Sequence, residues 1–184
     1  GSEMCIRDSL TKDLEIIVFH DFFLGRLTTK TGFVFSKDSN FIKQAKLCNN
    51  ESVPTIEDAL NLIDGRVPIL LEIKFSKHLK KNLEGFTTVL EKKLEGYKGD
   101  VAMMSFSFDI MKYIGKRNFF ERIPIGLTTS FTAIESLGNK AKNNKIENEI
   151  ISNKLQFISQ DWKGINNSRI KQTKNHWNRH ITRW

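Results

Sequence analysis

The 184-residue chain has two cysteines, Cys5 and Cys48. Their separation matches neither a metal-type nor a disulfide-type spacing, which excludes a disulfide-built scaffold and fits a reducing compartment. No run of about 18 apolar residues occurs, so the sequence offers no transmembrane helix. No secretory pattern opens the chain. No glycine fingerprint follows a strand-like segment, which excludes a dinucleotide-binding turn. Internal repeats, low-complexity tracts and an interdomain linker are missing too. What remains is a globular protein, long enough for one real core and expected in the cytoplasm.

The net charge of +8 invites a nucleic-acid reading, but its distribution argues against one. Between Trp162 and Trp184 stand Lys163, Arg169, Lys171, Lys174, Arg179 and Arg183, with no acid, so the rest of the chain carries only about +2. A basic segment with Trp177 and two histidines, His176 and His180, is compatible with RNA contact. A solvated helix face accounts for it equally simply, and no nucleic-acid partner is expected.

Strand-like and helix-like segments alternate. Apolar strands are predicted at Ile16–His20, Ile69–Lys74, Val101–Phe106, Ile123–Thr129, Leu155–Gln160 and Ile181–Trp184. Helices are predicted at Ile56–Asp64, Leu79–Leu94, Phe108–Arg117, Ala133–Ile151 and Asn167–Asn178. Thr55 is a candidate N-cap with Asp58 in a capping-box position and Gly65 at the exit. Thr28–Ser52 is polar and irregular apart from a short amphipathic piece around Phe41–Leu47. Alternating β and α with near-continuous apolar strands predicts an α/β fold with a parallel sheet under helices, either doubly wound or a (β/α) barrel.

Two strands end in titratable groups. Ile17-Val18-Phe19 runs into His20-Asp21, and Ile69-Leu70-Leu71 into Glu72-Ile73-Lys74. Alternation along a strand puts Glu72 and Lys74 on one face, and it turns Asp21 away from His20. A histidine, a carboxylate and an amine at strand ends suit phosphate or metal handling. Imidazole titrates near neutral pH, a carboxylate holds hard cations, and an ammonium offsets phosphoryl charge. Asp21 is expected to hold the following loop through Arg26 or Thr28. Met103 and Met104 read as core, and His78, His176 and His180 as surface residues.

The order His20-Asp21, Leu24-x-Arg26-x-Thr28, Gly32, Pro54-Thr55-Ile56-Glu57, Leu71-Glu72-Ile73-Lys74, Ser105-Phe106 resembles the glycerophosphodiester phosphodiesterase family over roughly residues 10 to 184. The resemblance implies a TIM barrel, (β/α)8, of which strands three to eight are present. It implies that the family's earlier His-Arg-Gly and Glu-x-Asp strands are not represented, with Leu10-Thr11-Lys12-Asp13 as the link leaving the second. On this reading residues 1–9 are a non-native, adaptor-like tail and 10–184 an incomplete barrel domain, expected to be inactive by itself.

The resemblance further implies metal-dependent hydrolysis of a small-molecule glycerophosphodiester to glycerol 3-phosphate and an alcohol. His20 and Lys74 are then catalytic, and Glu72 is one ligand of a Ca or Mg ion whose other carboxylates come from the Glu-x-Asp strand. Phe106, Gln160 and Trp184 contact substrate. The alternatives are a related phospholipase-type phosphodiesterase, a non-catalytic barrel that only binds, and an RNA-binding protein.

Overall fold

The computed structural model describes residues 4–129, 155–160 and 181–183. The chain divides into two compact units, Gly1–Val101 and Ala102–Trp184.

In the first unit, β1 (Met4–Leu10) lies between β2 (Ile16–Val18) and β3 (Ile69–Ile73). β1 runs parallel to β3, with Cys5 opposite Leu70, Arg7 opposite Glu72 and Asp8 opposite Ile73. It runs antiparallel to β2, with Asp8 opposite Val18 and Leu10 opposite Ile16. Two expectations are corrected here. Ile16–His20 is not a parallel strand: only Ile16–Val18 is extended in the sheet, and it folds back on β1 as an antiparallel edge. Met4–Leu10, assigned no element from the sequence, is a seven-residue strand of that sheet. The return from β1 to β2 is a tight turn in which Thr11 N–H donates to Glu15 O and Leu14 sits at φ 64°.

Helix α2 (Ile56–Ile63) begins as predicted. Thr55 Oγ1 accepts from the Asp58 amide, and the Asp58 carboxylate accepts from the Thr55 amide and hydroxyl. Those bonds from Thr55 hold the Asp58 carboxyl below its ordinary range. α2 ends at Asp64 in the left-handed region and buries Ile56, Leu60 and Ile63. The single helix expected over Leu79–Leu94 is two, α3 (Lys77–Lys81) and α4 (Leu83–Leu94), broken at Asn82, whose φ of −119° leaves the helical region.

The loop between β2 and α2 is better ordered than its polarity suggests. Leu24, Val34, Ile42 and Val53 pack on Ile17 and Phe19 as a buried cluster of their own, with Ile42 supplied by the short α1 (Ser39–Lys43). The loop turns at Gly32, whose φ of 122° is a conformation that suits glycine.

In the second unit, β4 (Val101–Ser105), β5 (Ile125–Thr129), β6 (Phe157–Gln160) and β7 (Ile181–Arg183) follow in sheet order; β5 pairs parallel with β4 and β6, and β6 parallel with β7. Helix α5 (Phe108–Ile114) follows β4, with Ser107 as its N-cap. Met103 and Met104 are buried core, as read from the sequence. Gly126 is required by packing: a Cβ there would lie 2.4 Å from the Phe157 ring. The helices expected at Ala133–Ile151 and Asn167–Asn178 lie outside the described residues.

Asp8 is the anomaly of the first unit. It is 1% exposed, between apolar Val18 and Ile73, and neither carboxylate oxygen has a hydrogen-bond partner. Burial, with a smaller contribution from the negative charge of Glu72, pushes its carboxyl up to about 8. The unfolded chain ionises Asp8 near 3.8. Between these values the folded state binds more protons, so this contribution to stability is full below about pH 4, falls as pH rises and levels off above about pH 8. Asp8→Val is therefore expected to stabilise the chain at pH 7.5 by about 1–3 kcal/mol and to flatten the decline across that window. Denaturant melts of both proteins at pH 5 and pH 8 measure this; equal gains at both pH values would contradict the assignment.

Candidate active site

Every residue of β3 is buried, including Glu72, which is 4% exposed. A carboxylate there is costly unless it is paired. Two cations meet it. Arg7, directly across the parallel register, donates from Nε to Glu72 Oε2 at 3.2 Å, and Lys74 Nζ stands 3.7 Å from Oε1. Glu72 and Lys74 share a face as alternation requires, and Arg7 shares it with them. Asp8, the next residue on β1, therefore faces the other way.

His20 lies two residues past the end of β2, with its side chain 52% exposed. The segment leading to it is pinned to β1 at two points. Phe19 N–H donates to Arg7 O at 2.9 Å, and Ser9 Oγ donates to Phe19 O at 3.1 Å. The sheet strand ends at Val18, and Asp21 does not point away from His20: Asp21 Oδ1 is 2.6 Å from His20 Nδ1. Arg26 donates to the same carboxylate from both Nε and Nη2. Those Arg26 bonds, followed by the bond to His20, hold the Asp21 carboxyl far below its usual range. With Asp21 accepting at Nδ1, that nitrogen carries the proton, and in the neutral ring Nε2 presents the lone pair. Thr28, the other candidate for anchoring Asp21, bonds instead to Leu24 O and Lys30 O.

A cleft opens at the ends of β1 and β3. Its lining is Ser9, Leu10, Phe22, Val34, Phe35, Lys74 and Ser76. The Lys74 ammonium is 5.8 Å from the centre of the Phe22 ring, and Phe22 is two residues from His20. The structure thus brings Glu72 and Lys74 into contact. His20 is linked to them through the Phe19–Arg7 backbone bond and through Phe22, with no direct hydrogen bond or ion pair.

The remaining sequence candidates belong to the second unit. Phe106 follows β4 and is 56% exposed. Gln160 is the last residue of β6, opposite Thr129 and Arg183. Trp184, His176 and His180 lie outside the described residues. His78, expected at the surface, is half-buried on α3, with Nε2 3.1 Å from Thr11 O and its ring stacked near Phe35. Sequence reasoning missed Arg7, Ser9, Phe22, Phe35 and Ser76. On β1 no local signal marks them, because Asp8 interrupts the apolar face of Ile6 and Leu10.

The family resemblance implies a divalent cation at Glu72, and the residues present do not fit one. Hard cations need several oxygen ligands. On the β1 face that meets Glu72 the side chains are those of Cys5, Arg7 and Ser9. Both Glu72 oxygens already face a cation. Among the described residues no cluster of three or more His, Cys, Asp or Glu side chains is arranged to hold a metal. Calcium or magnesium at ~5 mM is accordingly expected to add less than ~0.3 kcal/mol of stability, the gain from a site with a Kd of ~10 mM or weaker. A thermal midpoint that climbs clearly with either ion and returns on adding a chelator would show that a cation does bind.

Residues 8–156 match the model of the glycerophosphoryl diester phosphodiesterase family. No curated protein matches the chain. Solved structures do. A phosphodiesterase from Oleispira antarctica, in complex with the product sn-glycerol-3-phosphate, is 16% identical with a TM-score of 0.78, over 98% of this chain and 71% of that one. A glycerophosphodiester phosphodiesterase from Agrobacterium tumefaciens is 17% identical with a TM-score of 0.68, over 100% and 74%. One from Thermotoga maritima is 14% identical with a TM-score of 0.69, over 98% and 71%. At these identities the structures speak for the fold, while the family match spans most of the sequence. The chain belongs to the glycerophosphoryl diester phosphodiesterase family, whose members are phosphoric diester hydrolases.

Proposed function

We propose, against the expectation that residues 10–184 are inactive by themselves, that the chain hydrolyses a small-molecule glycerophosphodiester to glycerol 3-phosphate and an alcohol, on a (β/α)8 barrel whose strand ends carry Glu72 and Lys74. The observation that carries this reading is the His20–Asp21–Arg26 relay, two residues from the wall of a cleft that holds Lys74. Hydrolysis requires water to attack phosphorus and the P–O bond to the alcohol to break. Nε2 of His20 takes the proton from the water, and the imidazolium formed returns a proton to the departing alkoxide. Asp21 fixes the tautomer and offsets the imidazolium charge. Lys74 faces the phosphoryl oxygens as a point cation. Glu72 positions Lys74 and Arg7. No step runs through a divalent ion, because the described residues do not provide its ligands.

A second reading, a barrel that binds a phosphate ester without turning it over, is favoured by one observation: Arg7 occupies the side of Glu72 that a dication would need. Release of glycerol 3-phosphate from sn-glycero-3-phosphocholine separates the two. If the first reading is right, His20→Ala lowers kcat by ~10²–10⁴, and Asp21→Asn lowers it too, because the amide no longer enforces the Nε2 lone pair. Retention of head-group binding with no release by the unmodified chain would establish the second. A His20→Ala protein within twofold of the parent would remove His20 from the mechanism.

A further inference from the structure

Arg7 has more hydrogen-bonding capacity than the fold uses. Its Nε donates to Glu72 Oε2, and that bond is what the buried carboxylate takes from it. A guanidinium presents further N–H donors on its two Nη atoms, in a planar fork. Among the described residues neither Nη of Arg7 has a partner, and its side chain is 43% exposed against 5% for Glu72. The Nε edge is therefore committed to the sheet, and the Nη edge is open. Arg7 shares its face of β1 with Ser9, and Ser9 lines the cleft with Lys74. Lys74 stands on the other oxygen of Glu72. The Arg7 carbonyl accepts from Phe19 N–H, so the strand position that carries the guanidinium also holds the segment leading to His20. Two cations thus flank one carboxylate, which offsets only one of their charges, and the imidazole is tethered to the same strand position.

Attack on a phosphodiester builds negative charge on the phosphoryl oxygens, and a group already in place must offset it. A divalent ion would do so from a ring of carboxylates. The β1 and β3 face offers one carboxylate, Glu72, with a guanidinium across the register from it. An arginine fork meets phosphoryl oxygens by paired N–H donors, with charge and geometry both matched. We infer that Arg7 binds the phosphoryl group directly through its Nη atoms, with Lys74 as the second cation, so that binding a phosphate ester needs no divalent ion. This rests on the phosphodiester reading above and deepens it, by naming the residue that offsets phosphoryl charge where a dication has no ligands. Glu72 then acts as a brace. It holds Arg7 by Nε and leaves the rest of the fork to the substrate.

Calorimetric titration of the full chain with sn-glycerol 3-phosphate, first in a chelator and then in millimolar Mg²⁺ or Ca²⁺, tests this. The ester is expected to bind in the chelator, and either ion is expected to change its affinity by less than about twofold, because no ion joins the contact. Arg7→Gln combined with Glu72→Gln removes one charge of each sign, so the net charge holds and two amides replace the ion pair. That variant is expected to bind the ester ~10-fold more weakly, the effect of losing a hydrogen bond to a charged group. Its thermal midpoint shows whether it folds. Arg7→Lys keeps a cation opposite Glu72 and loses the fork, so it tests the same point if the double variant does not fold; it is expected to weaken binding by ~3-fold or more. Parent affinity in either folded variant overturns the inference, as does binding seen only with a divalent ion, and both results leave the phosphodiester reading standing. Failure to bind the ester under every condition overturns both.

Discussion

The buried carboxylate of Glu72 sets the frame for the first unit. β3 is otherwise apolar along its whole length, and a lone charge in it would cost more than the strand's other contacts tolerate. Arg7 and Lys74 offset that cost from opposite sides, one across the sheet and one along the strand. Because side chains alternate, a one-residue slip between β1 and β3 would carry Arg7 to the other face and strand Glu72 with a single partner. The pair therefore specifies register as well as charge balance. Register in turn fixes what else happens along β1. It commits Asp8 to an apolar environment between Val18 and Ile73, delivers Ser9 to the cleft, and aims the Arg7 carbonyl at the Phe19 amide, which places His20.

How much of this was legible in the sequence depends on how local each feature is. The α2 start was readable because Thr55 and Asp58 satisfy each other within one turn. The apolar runs of β3, β4 and β5 were readable because strand burial leaves a continuous signature. Direction was not. Ile16-Ile17-Val18 announces burial, but a strand's burial is the same whether its neighbour runs with it or against it, and the antiparallel return is decided by the short Thr11–Glu15 turn. β1 was illegible for a different reason. Arg7 and Asp8 interrupt any apolar pattern, and the strand exists because β2 and β3 flank it on both sides, a tertiary cause that periodicity does not record. The break at Asn82 was likewise hidden inside an amphipathic stretch that reads as one helix.

The candidate site divides along the same line. The acid–base half is local: Asp21 is adjacent to His20 and five residues from Arg26, so a heptapeptide encodes the tautomer, its orientation and the carboxylate that supports it. The charge-offsetting half is distant: Arg7 and Glu72 are 65 residues apart in sequence and meet only through strand pairing. A motif reader therefore recovers His20 and Asp21 and names Glu72 and Lys74, but does not see Arg7, which meets Glu72 only through strand pairing. The residue facing Glu72 decides whether its charge is available to a dication, and that residue is a guanidinium. A carboxylate with Arg7 and Lys74 on it no longer presents net negative charge to the cleft; the trio together carries one positive charge at neutral pH, the sign that attracts a phosphate ester. In the sheet, the position that reads as a cation ligand is a buried carboxylate held between two cations. The same strand pairing that buries Glu72 also sets Ser9 beside Lys74, so hydroxyl and ammonium line the cleft together.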